Sequence, residues 1–300
     1  MRIGLFGGDT AGGRTIDDIV AQAKRAAEDG FASYGMSQIF ALDSMAVLTV
    51  VGREVPGIGL LTGVVPTYAR HPLTMAQQAL TVQAASQGRF TLGIGLSHQI
   101  VIENMFGLSF KKPVRHMREY LSVLMPLLRD GTVSYQGETI RSEITLTVEP
   151  LTPKVLVAAL GPQMLKLAAT MTDGTMTWMT GPATLGDYTV PTITQAAQAA
   201  GRPAPEIVAS LPICVTSDPD AARQKAAQEF QIYGFLPSYR AMLDREGAEG
   251  PADVAIVGDE ATVGKGLQRL ADAGVTEFVA SMFGGRDERD ATLGVLQSFM

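Results

Sequence analysis

The 300-residue chain has a single cysteine, Cys214, and one thiol cannot close a disulfide within a chain. That excludes a stapled secreted scaffold and suits a reducing cytoplasm, where the protein is expected to reside. Cys214 sits in the apolar run Ile213-Cys214-Val215 and reads as a buried thiol. There is no basic cluster: 24 Lys and Arg against 30 Asp and Glu leave a net charge of −6, so nucleic acid is an unsuitable partner. No uninterrupted apolar run is long enough for a membrane span. The most apolar stretch, Ala46–Val65, is broken by Arg53, Glu54 and Pro56. Met1-Arg2 leads straight into Ile3-Gly4-Leu5-Phe6, so no signal peptide is expected. Only 18% of residues are charged and 46% are hydrophobic, which supports a large core and argues against long disorder.

What is present is a repeated alternation of strand and helix signals, in a length that suits one α/β barrel or two modest domains. Ile3–Phe6, ending in Gly7-Gly8-Asp9, is an expected strand. Thr15–Asp29 reads as a helix with Thr15 as N-cap and Asp18 in the acidic place of a capping box; Ile16, Ile19, Val20, Ala23 and Ala27 form its inner face. Strands are then expected at Phe31–Met36, Pro56–Thr62 and Arg89–Gly95, with helices at Ala41–Val51 and from His71-Pro72 to Ala85. After His98 the rhythm breaks. Pro113–Arg129 is a long amphipathic helix, and Thr132–Tyr135 with Thr139–Thr147 forms a hairpin around Gly137. The alternation resumes with strands Lys154–Ala159, Gly174–Met179, Ile207–Val215 and Val275–Ser281. Helices are expected at Met164–Met171, Ala183–Ala200, Pro219–Tyr233, Ala261–Ala273 and Glu288–Phe299, with Leu236–Asp253 as a loop.

Eight such units imply parallel strands closed into a (β/α)8 barrel. The expectation is a single domain over residues 1–300, with an insertion after the fourth strand at about 99–150. A doubly wound open sheet is the alternative. It lacks support from the first turn, because Gly7-Gly8-Asp9-Thr10-Ala11-Gly12-Gly13 has the wrong glycine spacing for a dinucleotide fingerprint.

The strand ends decide which chemistry is available, since barrel enzymes work at the carboxyl face. They read Ser37-Gln38, Gly63-Val64-Val65, Ser97-His98, Leu160-Gly161-Pro162, Thr180-Gly181-Pro182, Thr216-Ser217 and Ser281-Met282. A Schiff-base lysine is missing, because Lys154 lies at the wrong end of its strand. The convergent ligands of a metallohydrolase are missing, and no metal is expected. The paired carboxylates of a glycosidase are missing too. A neutral, glycine-rich mouth remains, suited to a flat ring whose own chemistry does the difficult step. His98, one of three histidines, stands at its centre; the competing reading is a structural histidine that caps the following segment.

Ala69-Arg70-His71-Pro72, the strand end Gly93–His98, Ala158-Ala159-Leu160-Gly161-Pro162 with Asp173-Gly174, Met117-Arg118-Glu119-Tyr120-Leu121 and Val257-Gly258-Asp259-Glu260 give the chain its likeness. In this order they resemble the luciferase-like flavin and deazaflavin oxidoreductases over nearly the whole length, most closely the coenzyme F420-dependent branch. The resemblance implies a (β/α)8 barrel, F420 as cofactor, a small-molecule substrate and a homodimer. It places Gly63 and Val64 at a bulge behind the deazaflavin ring, often with a non-prolyl cis peptide. It places Gln38 at the second strand end and Gly95, Ser97 and His98 along ring and tail. Ala159, Leu160, Gly161 and Pro162 fall at the ring edge and the phosphate-bearing tail, and Thr180 and Gly181 at the next strand end. Trp178 is expected to pack in the barrel. Some relatives carry an acid–base His or Asp where this chain has Ser37-Gln38, so His98 is the candidate for proton handling. Two further readings keep the barrel: an FMN-dependent monooxygenase using externally reduced flavin, and a non-catalytic deazaflavin or small-ligand carrier.

Overall fold

The computed structural model describes residues 1–7, 13–149 and 151–300. The expected turn residues Gly8 and Asp9 lie outside them. Eight parallel strands form the barrel: β1 (Arg2–Phe6), β2 (Ser33–Met36), β3 (Gly59–Thr62), β4 (Phe90–Gly95), β5 (Lys154–Ala158), β6 (Gly174–Trp178), β7 (Glu206–Ser210) and β8 (Glu277–Met282). Each pairs with the next, and β8 pairs with β1 through Arg2–Glu277 to Leu5–Ala280, which closes the ring. The doubly wound alternative is therefore excluded.

The outer ring of helices comprises α1 (Ile16–Glu28), α2 (Ser44–Glu54), α3 (Pro72–Ala85), α4 (Pro113–Asp130), α5 (Pro162–Met171), α6 (Val190–Ala199), α7 (Glu260–Asp272) and α8 (Arg286–Phe299). Their boundaries follow local chemistry. Thr15 accepts from Asp18 N at 3.1 Å while Asp18 Oδ2 accepts from Thr15 N at 2.9 Å, the expected capping box. The inner face of α1 is Ile19, Val20, Ala23 and Ala26, with Ala27 packed against the core beside them, whereas Ile16 is exposed. Thr15→Ala is expected to cost about 1 kcal/mol and lower Tm by about 2 °C, measured by thermal unfolding.

Side chains alternate across the barrel wall. Ile3, Leu5, Val155, Val157, Phe278 and Ala280 pack outward against the helices. Leu61, Leu156, Met176, Val208 and Val279 form a separate cluster inside, joined by Phe6 and Val64. At the amino end charged side chains line the barrel mouth. Glu277 accepts from Ser33 Oγ and from Arg2 Nε (3.0 Å) and Nη2 (2.9 Å), while Glu206 binds Arg2 and Lys154.

Two excursions leave the repeat. The first follows β4, with a π turn at Val101–Met105 before α4 and an antiparallel hairpin, Thr132–Gln136 and Arg141–Thr145, after it. The second is larger than expected. Ile207–Val215 is not one strand: β7 ends at Ser210, and Pro212–Val215 peels off to pair with the end of β8 and with a further strand, Ile256–Gly258. Pro212 has no N–H to continue the ladder. Between these strands lie helices Pro219–Glu229, Gln231–Phe235, Pro237–Glu246 and Pro251–Val254. The expected loop Leu236–Asp253 is thus mostly helical, and the barrel helix between β7 and β8 is α7.

No helix among the described residues is long and apolar enough to cross a membrane.

Candidate active site

At the carboxyl face, the peptide Gly63–Val64 is cis and not prolyl, at the position where the resemblance implied it. A Cβ on Gly63 would lie 2.3 Å from Phe6 Cζ and 3.0 Å from Met176 Sδ, so only glycine lets the chain press onto the barrel interior there. Ser37 Oγ donates to Gly63 O at 2.7 Å, and Gln38 N donates to Val64 O at 3.3 Å. The Gln38 side chain turns the other way. Its Oε1 accepts from Ser44 N (2.8 Å) and Ser44 Oγ (3.1 Å), securing the start of α2.

Gly95 lies beside this bulge, where a Cβ would meet Val64 Cγ2 at 2.7 Å. Its carbonyl accepts from Thr67 N at 2.9 Å. Ser97 then adopts a left-handed conformation, φ +61°, unusual for a non-glycine residue and typical of chain held in place by its surroundings. His98 follows. Its main-chain carbonyl accepts from Val101 N (3.0 Å) and Ile102 N (2.9 Å), so the capping role belongs to the backbone. The imidazole instead faces Tyr239, with ring centres 5.6 Å apart, and makes no hydrogen bond among the described residues. Burial holds its pKa below the usual histidine value, which leaves it neutral at pH 7.

The other two histidines are engaged elsewhere. His71 Nδ1 accepts from Leu73 N at 3.2 Å and caps α3, while neighbouring Arg70 pairs with Asp43. His116, on the first turn of α4, stacks on Tyr68 at 3.9 Å and 4°, and its Nε2 lies 3.0 Å from Thr67 Oγ1. Burial lowers its pKa to about 4 despite the opposing charge of Glu119.

The β5 end carries Ala159, buried, Leu160, half-buried, and exposed Gly161 and Pro162. Pro162 opens α5 with no side chain capping its amides, and the space beside Gly161 is open. At the β6 end the parallel arrangement is filled. Thr180 is buried and its hydroxyl bonds Trp178 O at 3.3 Å. Gly181 precedes Pro182–Thr184, which runs through a π turn, Leu185–Thr189, into α6. The first amides of that helix already hold the Glu246 carboxylate: Ala183 N to Oε1 is 3.1 Å and Thr184 N to Oε2 is 2.7 Å.

Tyr233, Tyr239 and Glu246 belong to the second excursion and escape the sequence reading. The signal was present, since Pro237 at a first helical position and Gly247 just past the end bracket a helix with Met242-Leu243 inward. Trp178 packs edge-on against Phe230 (5.9 Å) and Tyr233 (5.7 Å), and Tyr233 packs edge-on against Tyr239 (5.1 Å). Trp178 therefore packs beneath this excursion at the barrel's rim. Among the described residues no group of three His, Cys, Asp or Glu side chains could hold a metal. Burial pushes the Cys214 thiol up to about 11, an unreactive state.

This arrangement offers two close backbone approaches that exclude a Cβ, at Gly63 and Gly95, one neutral imidazole and one open helix start. It can seat a flat ring with an anionic tail and can donate or accept one hydrogen bond at the ring.

The family described as luciferase-like monooxygenase matches residues 2–282. A curated uncharacterized protein of Mycobacterium tuberculosis (strain ATCC 25618 / H37Rv) is 27% identical over 221 residues, 68% of this chain and 65% of its own length. The match thus spans just under two thirds of that relative. The 5,10-methylenetetrahydromethanopterin reductase of Archaeoglobus fulgidus is 30% identical over 218 residues, 70% of this chain and 64% of the reductase. Among solved structures, an F420-dependent secondary alcohol dehydrogenase in complex with an F420-acetone adduct superposes with a TM-score of 0.82. It is 20% identical and covers 100% of this chain and 98% of the dehydrogenase, a likeness of fold.

Proposed function

Since the chain belongs to the luciferase-like monooxygenase family, we propose that it is a coenzyme F420-dependent oxidoreductase acting on an unsaturated or carbonyl-type small molecule. When bound, the deazaflavin would supply hydride transfer to or from that substrate. One observation carries the reading: the open start of α5 at Gly161-Pro162 stands on the same face as the cis bulge of Gly63 and Val64 and as Gly95. The resemblance seats a planar ring against this bulge, and the free amides of α5 suit a tail phosphate. His98 orients the ring or the substrate carbonyl through its neutral imidazole, and Ala159 and Leu160 shape the ring edge. Ser97 completes the turn that presents His98.

Relatives support this cofactor; one of them is a putative coenzyme F420-dependent oxidoreductase of Mycobacterium tuberculosis (strain ATCC 25618 / H37Rv). The second reading is an FMN-dependent monooxygenase, and the family's description as monooxygenases supports its oxygen chemistry. Fluorescence titration with chelator present separates the two. Binding of F420 tighter than FMN by about tenfold or more, roughly 1.4 kcal/mol, is expected. Equal or tighter binding of FMN, with oxygen consumption, overturns the proposal. Tight F420 binding without turnover against a panel of carbonyl and ene acceptors would point to a carrier.

A further inference from the structure

Glu246 is the last residue of helix Pro237–Glu246, where a carboxylate opposes the negative end of its own helix dipole. It is satisfied instead by another helix. Its two oxygens accept from Ala183 N and Thr184 N, the first amides of the helix that leaves β6, where negative charge is favoured. Gly181 makes room for it, because a Cβ there would lie 2.3 Å from Glu246 Cδ. Two further contacts hold the same pair of helices together. The Arg245 guanidinium lies 4.0 Å over the Tyr188 ring, and Thr184 Oγ1 donates to Met242 O at 3.3 Å. Two turns before Glu246, the same helix presents Tyr239 to His98 and to Tyr233.

We propose that Glu246 is a positioning residue of the candidate active site: seated on the amides of Ala183 and Thr184, its carboxylate latches helix Pro237–Glu246 where Tyr239 covers His98. The latch couples two strand ends, the β4 end through His98 and the β6 end through Gly181. Tyr239 is the ring set against the imidazole, whose pKa burial lowers. The inference rests on the reading of this face as the active site only for its importance, and its test needs no cofactor.

The test compares Glu246→Ala and Gly181→Ala with the parent protein in the absence of any ligand. In Gly181→Ala the carboxylate is retained but pushed off its amides, and the backbone at this position, φ −75°, accepts alanine. Both variants are expected to raise amide exchange across 237–246 by about tenfold or more, while β4 and β6 stay protected. Both should change the emission of Trp178, the only tryptophan, because Tyr233 packs on it and moves with Tyr239. Both should raise the titration midpoint of His98, followed by NMR, towards the free value. Added acetate is expected to refill the amides in Glu246→Ala and recover Tm without restoring protection of 237–246, since free acetate carries no tether. Two outcomes overturn the proposal. One is unchanged exchange, emission and His98 titration in both variants. The other is full recovery of exchange by acetate, which reduces Glu246 to an ordinary cap. Preferential binding of FMN would overturn the cofactor assignment and leave all these readouts untouched.

Discussion

His98→Ala is expected to lower kcat about 100-fold with little change in Tm, measured anaerobically as oxidation of the reduced deazaflavin by an accepting substrate. The structural roles at this position survive the substitution, because the amides of Val101 and Ile102 are bonded to the main-chain carbonyl of residue 98. What is lost is the imidazole, which touches Tyr239 and has no hydrogen bond to the protein among the described residues. Its polar atoms are thus free for cofactor or substrate. Burial lowers its pKa, so the neutral form persists to lower pH than in a free histidine. Activity should therefore hold through neutral pH and fall on the acid side only below the ordinary histidine midpoint, about 6.5. That acid limb should vanish in the alanine variant. Turnover unchanged in a folded His98→Ala protein, with a good substrate, would remove the assignment.

The second large effect is on stability, at Glu119. This carboxylate sits on α4 and is only 4% exposed. It accepts from Glu138 N (3.1 Å), Thr139 N (2.9 Å), Thr139 Oγ1 (2.8 Å) and Ile140 N (3.0 Å), which ties the hairpin to the helix. Gly137 is needed for the approach, since a Cβ there would fall 2.6 Å from Glu119 Oε2. Glu119→Ala strands several donors at once, with an expected cost of about 4 kcal/mol and a Tm lower by about 10 °C. Burial alone would raise this carboxyl, but the donors from Thr139, Glu138 and Ile140 outweigh it and hold it at about 2. In the unfolded chain the value is about 4.3, so the stabilisation is complete above that pH and disappears as pH falls towards 2. The difference in stability between parent and variant should therefore shrink across that acid window. A constant difference from pH 7 to pH 2.5 would sink the account.

How much of this could be read from the sequence varies with the range of the interaction involved. Phe90–Gly95 was legible because a buried parallel strand needs only a local apolar run ending in glycine, and Thr15 with Asp18 because a capping box spans four residues. The cis peptide at Gly63–Val64 was legible only through family resemblance; nothing in Gly-Val itself requires it. Pro212 marked the break after β7, yet Leu211 and Ile213 are both buried, so burial ran continuously through the break and hid it. Glu246 and Tyr239 were opaque for a different reason. Their partners are Ala183, Thr184 and His98, 62 or more residues away, and only the closed barrel brings them together. The same distance explains Gln38. At a strand end it reads as a ligand group, but the path of the chain into α2 gives its side chain to Ser44.

The cluster of Arg2, Ser33, Glu206 and Glu277 at the amino end joins β1, β2, β7 and β8, so the seam where the first strand meets the last is riveted by ion pairs as well as by its ladder.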